Sequence, residues 1–318
     1  MFIVLCSLSF GFVVQNTPRC QQLQNINLLS TRVSRTGVGS FLYFHPLLTD
    51  LIYEDTIGAL AELDSLGCGG LSQYKVKVLS CHDDRDINQE FANAMEENQE
   101  YEGVEIVGSF LRSSSLYPVM NSNHLQYLQI GNNDSFLIDF EESIAPILSS
   151  CGGGLKKLVL DKFRYIDMEI IGKTCPKLQN LSLSHIISWG QLMNICPEYF
   201  SNLEELQITN KYGCHIFSNI LRQLLFFCPN LQYLHLQLLD CLDDLLWTQI
   251  HLQNSLTHLV SVTLDQCHSI SGDTIEDLVD QPNNLEMLNI WSCRFITNKN
   301  KETIKKTILR ENFDLCFR

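Results

Sequence analysis

The chain has 318 residues and a mass of 36.4 kDa, and its 45% apolar and 18% charged composition supplies a continuous core with no stretch that must stay unfolded for want of hydrophobic side chains. The formal charge of -14 repels phosphate backbones, which excludes nucleic acid as an expected partner. The cysteines number 13, an odd count, and none forms a Cys-x-x-Cys pair; this argues against a disulfide scaffold or a paired zinc site, and for small apolar core residues in a cytoplasmic or nuclear compartment.

In chain order, the segment Met1 to Val14 is apolar but shorter than the roughly 20 residues a membrane span requires, so no membrane association is expected. No Lys or Arg precedes Arg19 and no small-x-small cleavage site follows. Residues 1–22 are therefore read as an N-terminal apolar cap or truncated repeat. The competing reading makes Met1 to Val14 a signal peptide and the chain a secreted or receptor-type binding protein.

From Leu23 onward one pattern returns, Leu-x-x-Leu-x-Leu. Its looser copies are Leu23/Ile26/Leu28, Leu48/Leu51/Tyr53, Leu71/Tyr74/Val76 and Tyr101/Val104/Ile106. The clear ones are Leu125/Leu128/Ile130, Leu155/Leu158/Leu160, Leu178/Leu181/Leu183, Leu203/Leu206/Ile208, Leu231/Leu234/Leu236, Leu259/Val262/Leu264 and Leu285/Leu288/Ile290. These clear copies start 30, 23, 25, 28, 28 and 26 residues apart, close to the range of roughly 20–29 for leucine-rich repeats. Between them the apolar spacing turns helical, as in Ile166 and Ile170, in Ile216, Ile220 and Leu224, and in Ile275, Leu278 and Val279. The expected fold is an α/β leucine-rich repeat solenoid, a horseshoe with a concave parallel β-sheet and outer helices. About eleven coils fill residues 23–298, and residues 299–318 form a C-terminal capping helix and tail.

The cysteines keep phase with this pattern. Cys20, Cys68, Cys175 and Cys228 each stand three residues before a first strand position, whereas Cys267 and Cys293 stand three after a last one. Proline follows in Cys175-Pro176 and Cys228-Pro229, where it stops a helix and turns the chain into the strand.

The stretches Leu259 to Leu278, with Cys267-His268-Ser269-Ile270-Ser271, and Leu285 to Thr297, with Trp291-Ser292-Cys293-Arg294-Phe295, resemble the cysteine-containing repeats of the F-box and leucine-rich repeat protein family. The resemblance runs from about Leu125 onward. It implies a non-catalytic subunit that holds a protein substrate on its concave surface for a cullin-RING ubiquitin ligase, with a Skp adaptor and a cullin as further partners. The family's F-box occupies some tens of residues ahead of the array, and the 22 residues before Leu23 carry no Leu-Pro-x-Glu start. Either an F-box supplied outside this sequence recruits adaptor and cullin, or the chain binds its partners without recruiting the ligase directly.

Catalytic patterns find no support. Cys81-His82, Cys214-His215 and Cys267-His268 are sequence neighbours whose side chains diverge, whereas a nucleophile and its base must meet within hydrogen-bond reach. Gly152-Gly153-Gly154 lacks the Gly-Lys-Ser/Thr of a phosphate loop, and Asn180, one of two glycosylation matches with Asn133, falls in an expected strand. No cofactor and no metal are expected.

With the leucines turned inward, alternate strand residues face the concave surface. The residues assigned to partner binding are Tyr127, Lys157, Gln207, Tyr233, His235, Met287, Asn289 and Trp291. Aromatic and methionine side chains carry most weight because they are enriched at interface centres. Trp291 and Tyr233, two coils apart, are expected on the order of 10 Å from each other, as one site.

Overall fold

The computed structural model describes residues 2–4, 22–29, 31–65, 67, 75–82, 86–97, 101–108, 110–132, 138–190, 196, 198–210, 216, 218–254, 256–280, 284–311 and 316–317. The fold is α/β, parallel strands alternating with helices as in a leucine-rich repeat solenoid. It divides into two compact units, Met1–Leu155 and Lys156–Arg318.

In the first unit β1 (Phe2–Val4), β2 (Asn25–Asn27) and β3 (Asp50–Ile52) pair in parallel, as do β4 (Val78–Cys81), β5 (Gly103–Val107) and β6 (Tyr127–Gly131). Helices α1 (Arg35–Phe44), α2 (Thr56–Ser65) and α3 (Asn88–Glu97) return the chain between strands. Ser34 starts α1 by accepting the Gly37 N–H at 3.2 Å. After β6 come the short α4 (Ala145–Cys151) and the turn Gly152–Gly154.

The second unit holds β7 (Lys157–Asp161), β8 (Tyr165–Ile166), β9 (Asn180–Ser184), β10 (Ser188–Trp189), β11 (Glu205–Thr209), β12 (Tyr233–Gln237), β13 (Ser261–Asp265), β14 (Met287–Trp291) and β15 (Cys316–Phe317). The main sheet runs β7-β9-β11-β12-β13-β14-β15, parallel throughout, while β8 and β10 form a separate parallel pair. Its helices are α5 (Met168–Thr174), α6 (Ser218–Phe226), α7 (Asp244–Gln253), α8 (Gly272–Asp280) and α9 (Asn298–Glu311). Asp167 caps α5 through the Glu169 and Ile170 N–H groups at 2.8 and 3.1 Å, and Asp243 caps α7 through Leu246 N–H at 2.7 Å.

The register joins equivalent repeat positions: Leu181 pairs with Leu206, Leu206 with Leu234, Leu234 with Val262 and Val262 with Leu288, all buried. Each strand contributes two such residues to the core, and every clear repeat triad from Leu125 to Ile290 is buried. The thiols behave as small apolar groups that also donate. Cys228 Sγ donates to Leu224 O at 3.0 Å, and Cys267 Sγ to Leu236 O at 3.4 Å. Burial pushes the Cys267 thiol up to about 12, far from the thiolate form a nucleophile requires.

Two expectations from the sequence are corrected. The coil read as Leu71/Tyr74/Val76 takes its strand five residues later: Val76, just ahead of β4, and Leu79 and Cys81 within it are all fully buried, while Leu71 and Tyr74 lie outside the described residues. Strand starts around it become 28 and 25 residues apart in place of 23 and 30, and Cys68 no longer stands three residues before a first strand position. Cys20 also lies outside the described residues. Ile166 sits in β8, not on a helix; α5 opens at Met168 and buries Met168 and Ile171, with Ile170 half-exposed.

Leu234, 2% exposed between Leu206 and Val262, tests this packing. Leu234→Ala is expected to cost about 2–5 kcal/mol, since a large buried side chain is removed from a stack in which each coil leans on its neighbours. A urea titration measures it; an unchanged midpoint contradicts the register.

Candidate functional site: the open face of the second sheet

Because the core takes alternate residues of each strand, the opposite sheet face is left to the remaining three positions. In the second unit the register arranges them as three rows across the strands. Lys157, Asn180, Glu205, Tyr233, Ser261 and Met287 form the first. Val159, Ser182, Gln207, His235, Thr263 and Asn289 form the middle row, and Asp161, Ser184, Thr209, Gln237, Asp265 and Trp291 the third.

The structure thus brings seven of the eight sequence-assigned residues onto one face: Lys157, Tyr233 and Met287 in the first row, Gln207, His235 and Asn289 in the second, Trp291 in the third. Lys157 and Tyr233 are exposed, as are Met287 at 37% and Trp291 at 47%. Asn289 differs from expectation. It is buried at 7%, between Met287 and Trp291 on its own strand, and donates through Nδ2 to Thr263 Oγ1 at 3.2 Å, while its Oδ1 has no hydrogen-bond partner. Thr263 is buried too.

The expected pairing of Trp291 with Tyr233 is also corrected. Tyr233 is in register with Ser261 and Met287, whereas Trp291 aligns with Asp265 and Gln237. Two strand spacings combined with four residues along the strand separate the Trp291 and Tyr233 Cα atoms by about 16 Å, so they mark opposite edges of the face. Met287 is the residue about 10 Å across from Tyr233.

Tyr127 belongs to the first unit and lies apart from this set. Its ring packs over Gly103, where an added Cβ would meet Tyr127 Cδ1 at 3.1 Å, and its hydroxyl donates to Gln129 Oε1. Burial, reinforced by Glu105, raises its phenol above the ordinary value.

Electrostatics differ along the third row. His185 Nδ1 lies 2.7 Å from Asp161, whereas Asp265 receives the neutral Gln237 amide, Nε2 donating to Oδ2 at 2.7 Å. Burial lowers the His235 imidazole below its ordinary value, against the pull of Asp265, which keeps the middle row uncharged at neutral pH. Ser184, Thr209 and Gln237 share this face without being among the residues assigned to partner binding from sequence. Their signal was the place directly after the last leucine of each pattern, as in Leu236-Gln237.

Beside the strands' N-terminal ends, an open polar depression of about 390 Å³ is lined by Lys156, Lys177, Gln179, Asn202, Glu204, Asn230, Gln232 and His258. Asn202 and Asn230 are committed to backbone there, donating to Pro176 O at 2.8 Å and Ser201 O at 2.7 Å. Of the Cys–His neighbours, Cys81 is buried while His82 pairs with Glu105, Cys267 donates to backbone, and Cys214 and His215 lie outside the described residues. Asn180 Nδ2 donates to the Glu205 carboxylate, and Asn133 lies outside the described residues. Among the described residues no group of three or more His, Cys, Asp or Glu forms a metal-binding cluster, and no helix is long and apolar enough to cross a membrane.

No protein-family profile matches the chain, and no curated protein matches it in sequence. Solved structures do match. An internalin from Listeria monocytogenes is similar over 94% of this chain and 81% of its own, with 15% identity and a TM-score of 0.53. A chain of the Rad7 and Elc1 complex from yeast is similar over 92% of this chain and 84% of its own, with 14% identity and a TM-score of 0.49. The internalin likeness supports the fold class reached above, the leucine-rich repeat solenoid.

In the first unit, His82 Nε2 meets Glu105 at 2.8 Å, and that bond, opposed by burial, raises His82 above its ordinary 6.5. Glu54 and Asp55 act in the same direction. A raised folded value means the pair's contribution is complete below the unfolded value and is lost as pH rises through the folded one. Between pH about 6 and 8 the urea midpoint is therefore expected to fall more steeply for the native chain than for His82→Gln. Parallel slopes contradict the pairing.

Proposed function

We propose that the chain is a non-catalytic protein-binding scaffold whose partner lies on the open face of the second sheet. The observation that carries this reading is the partition of each strand. Leu234, Leu236, Leu288 and Ile290 are consumed by the core, while Tyr233, Met287 and Trp291 remain outside it on one continuous surface. A sheet face that spends large aromatic and thioether side chains on solvent gains nothing in stability, and such residues dominate the binding energy of protein interfaces.

Within that reading, the cysteine-containing repeats at Leu259 to Leu278 and Leu285 to Thr297 favour substrate recognition for an SCF-type cullin-RING ubiquitin ligase, in the cytoplasm or nucleus. The Skp adaptor and cullin are the further partners, joined through an F-box supplied outside this sequence. Reconstitution with purified Skp–cullin–RING components tests the ligase context. Co-elution supports it, and failure to co-elute with or without an added F-box module removes it while leaving the scaffold role intact.

The binding face has its own test. With a purified partner, Tyr233→Ala and Met287→Ala are each expected to weaken binding by about 1–2 kcal/mol, as truncation of buried anchors does. Their thermal midpoints stay near the native one, because neither side chain belongs to the core. Lys305→Ala on α9, a 54% exposed side chain tied only to Glu302 at 3.3 Å, is the neutral control. Binding indifferent to both face substitutions and sensitive to Lys305→Ala overturns the assignment.

A further inference from the structure

We infer that the Trp291 edge of this face is an arginine pocket, and that the partner enters it as a peptide segment carrying an arginine. The inference rests on the open-face reading and names the chemistry of its occupant.

Strand register makes three groups neighbours. Trp291 presents an indole that is 47% exposed, and among the described residues β15 pairs with β14 at Met287 and Leu288. Asp265, the register partner of Trp291, holds a carboxylate whose hydrogen bond comes from the neutral Gln237 amide, and it forms no ion pair among the described residues. Two residues back along the same strand face, Asn289 buries an acceptor, Oδ1, that no protein donor reaches. A buried acceptor without a partner is a deficit that a ligand N–H can fill.

An arginine side chain matches all three together. Its guanidinium is flat and stacks on an indole face, its charge meets a carboxylate, and its several N–H donors reach two acceptors at once. A lysine ammonium answers the charge but neither the plane nor the second acceptor as well.

The coils ahead of this edge are acidic, while Arg294 and the lysines of α9 follow it in sequence. From Gln223 to Cys293 the sequence contains nine Asp and Glu residues and no Lys or Arg. Most of these acids lie on helices and loops, as Asp273, Glu276, Asp277 and Asp280 do on α8, and they set the sign of the field around the coil rather than touch the pocket. His235, held uncharged at neutral pH, adds no opposing cation.

The test is selection of displayed random peptides on the full chain, followed by affinity measurement on the purified winners. The expected winners carry arginine at one fixed position and lose affinity by about tenfold or more on replacement of that arginine with citrulline, its uncharged isostere. Asp265→Asn causes a comparable loss with the arginine peptide and little with the citrulline peptide, the coupling expected of groups in contact. Trp291→Leu weakens both peptides. Winners that lose affinity with Tyr233→Ala but ignore citrulline and Asp265→Asn overturn the arginine pocket and leave the open-face reading standing. Winners indifferent to Tyr233→Ala, Met287→Ala and Trp291→Leu alike overturn the reading beneath it, and a selection that enriches no peptide counts against both.

Discussion

The constraint on which the molecule depends is that one coil cannot satisfy itself. A strand of five residues leaves its backbone donors and acceptors and its two inward leucines without partners until another strand lies alongside. The second unit meets this with a repeated junction. Lys162, His185, Leu238, Gln266 and Ser292 each directly follow a strand and have positive φ between 53° and 58°. The left-handed turn aims the next N–H at the following coil: Lys162 donates to Ser184 O at 2.9 Å, His185 to Thr209 O at 2.8 Å, Leu238 to Asp265 O at 2.9 Å and Gln266 to Trp291 O at 2.8 Å. In the first unit Gly108, at φ +79°, donates to Gly131 O at 3.1 Å. A left-handed conformation costs a non-glycine residue roughly 1–2 kcal/mol, and the coil-to-coil bond and the leucine stacking it aligns offset that cost.

This junction fixes function-bearing geometry indirectly. Because the turn closes each strand at the same position, equal offsets from the first leucine always become lateral neighbours. Rows across the open face are a consequence of repeat closure, not of any interaction among the row residues themselves. That separation frees the face to vary. Lys157, Glu205 and Tyr233 stand in one row with nothing in common except their offset, and none contributes to the core that holds them.

The leucine ladder was legible because its signal is the same residue type at the same spacing. It failed at β4, where the core triad is Val76, Leu79 and Cys81 and contains one leucine, while Gly69-Gly70-Leu71 imitates the turn that precedes other strands. The face residues were legible by the two-residue period, but their neighbours were misjudged. Trp291 was set opposite Tyr233 by counting coils alone. Offset decides instead: Tyr233 follows its first leucine by two positions and so does Met287, whereas Trp291 follows by six. The burial of Asn289 had no sequence signal, since it arises from Met287 and Trp291 on either side and Thr263 across the strand gap.

Asn289 also shows where this architecture stores a cost. An unpartnered buried acceptor is worth roughly 1–3 kcal/mol against the fold, and an apolar residue of similar shape at the centre of the face would avoid it. In a globular core such a defect would be felt by many neighbours. In a coil array each repeat answers mainly to the two beside it, so a local penalty in β14 is confined to β13 and the α9 end of the unit. Leu288 and Ile290, buried on the core side of the same strand, hold the position regardless. A repeat fold can therefore keep a polar, incompletely satisfied group on its open face next to an exposed indole.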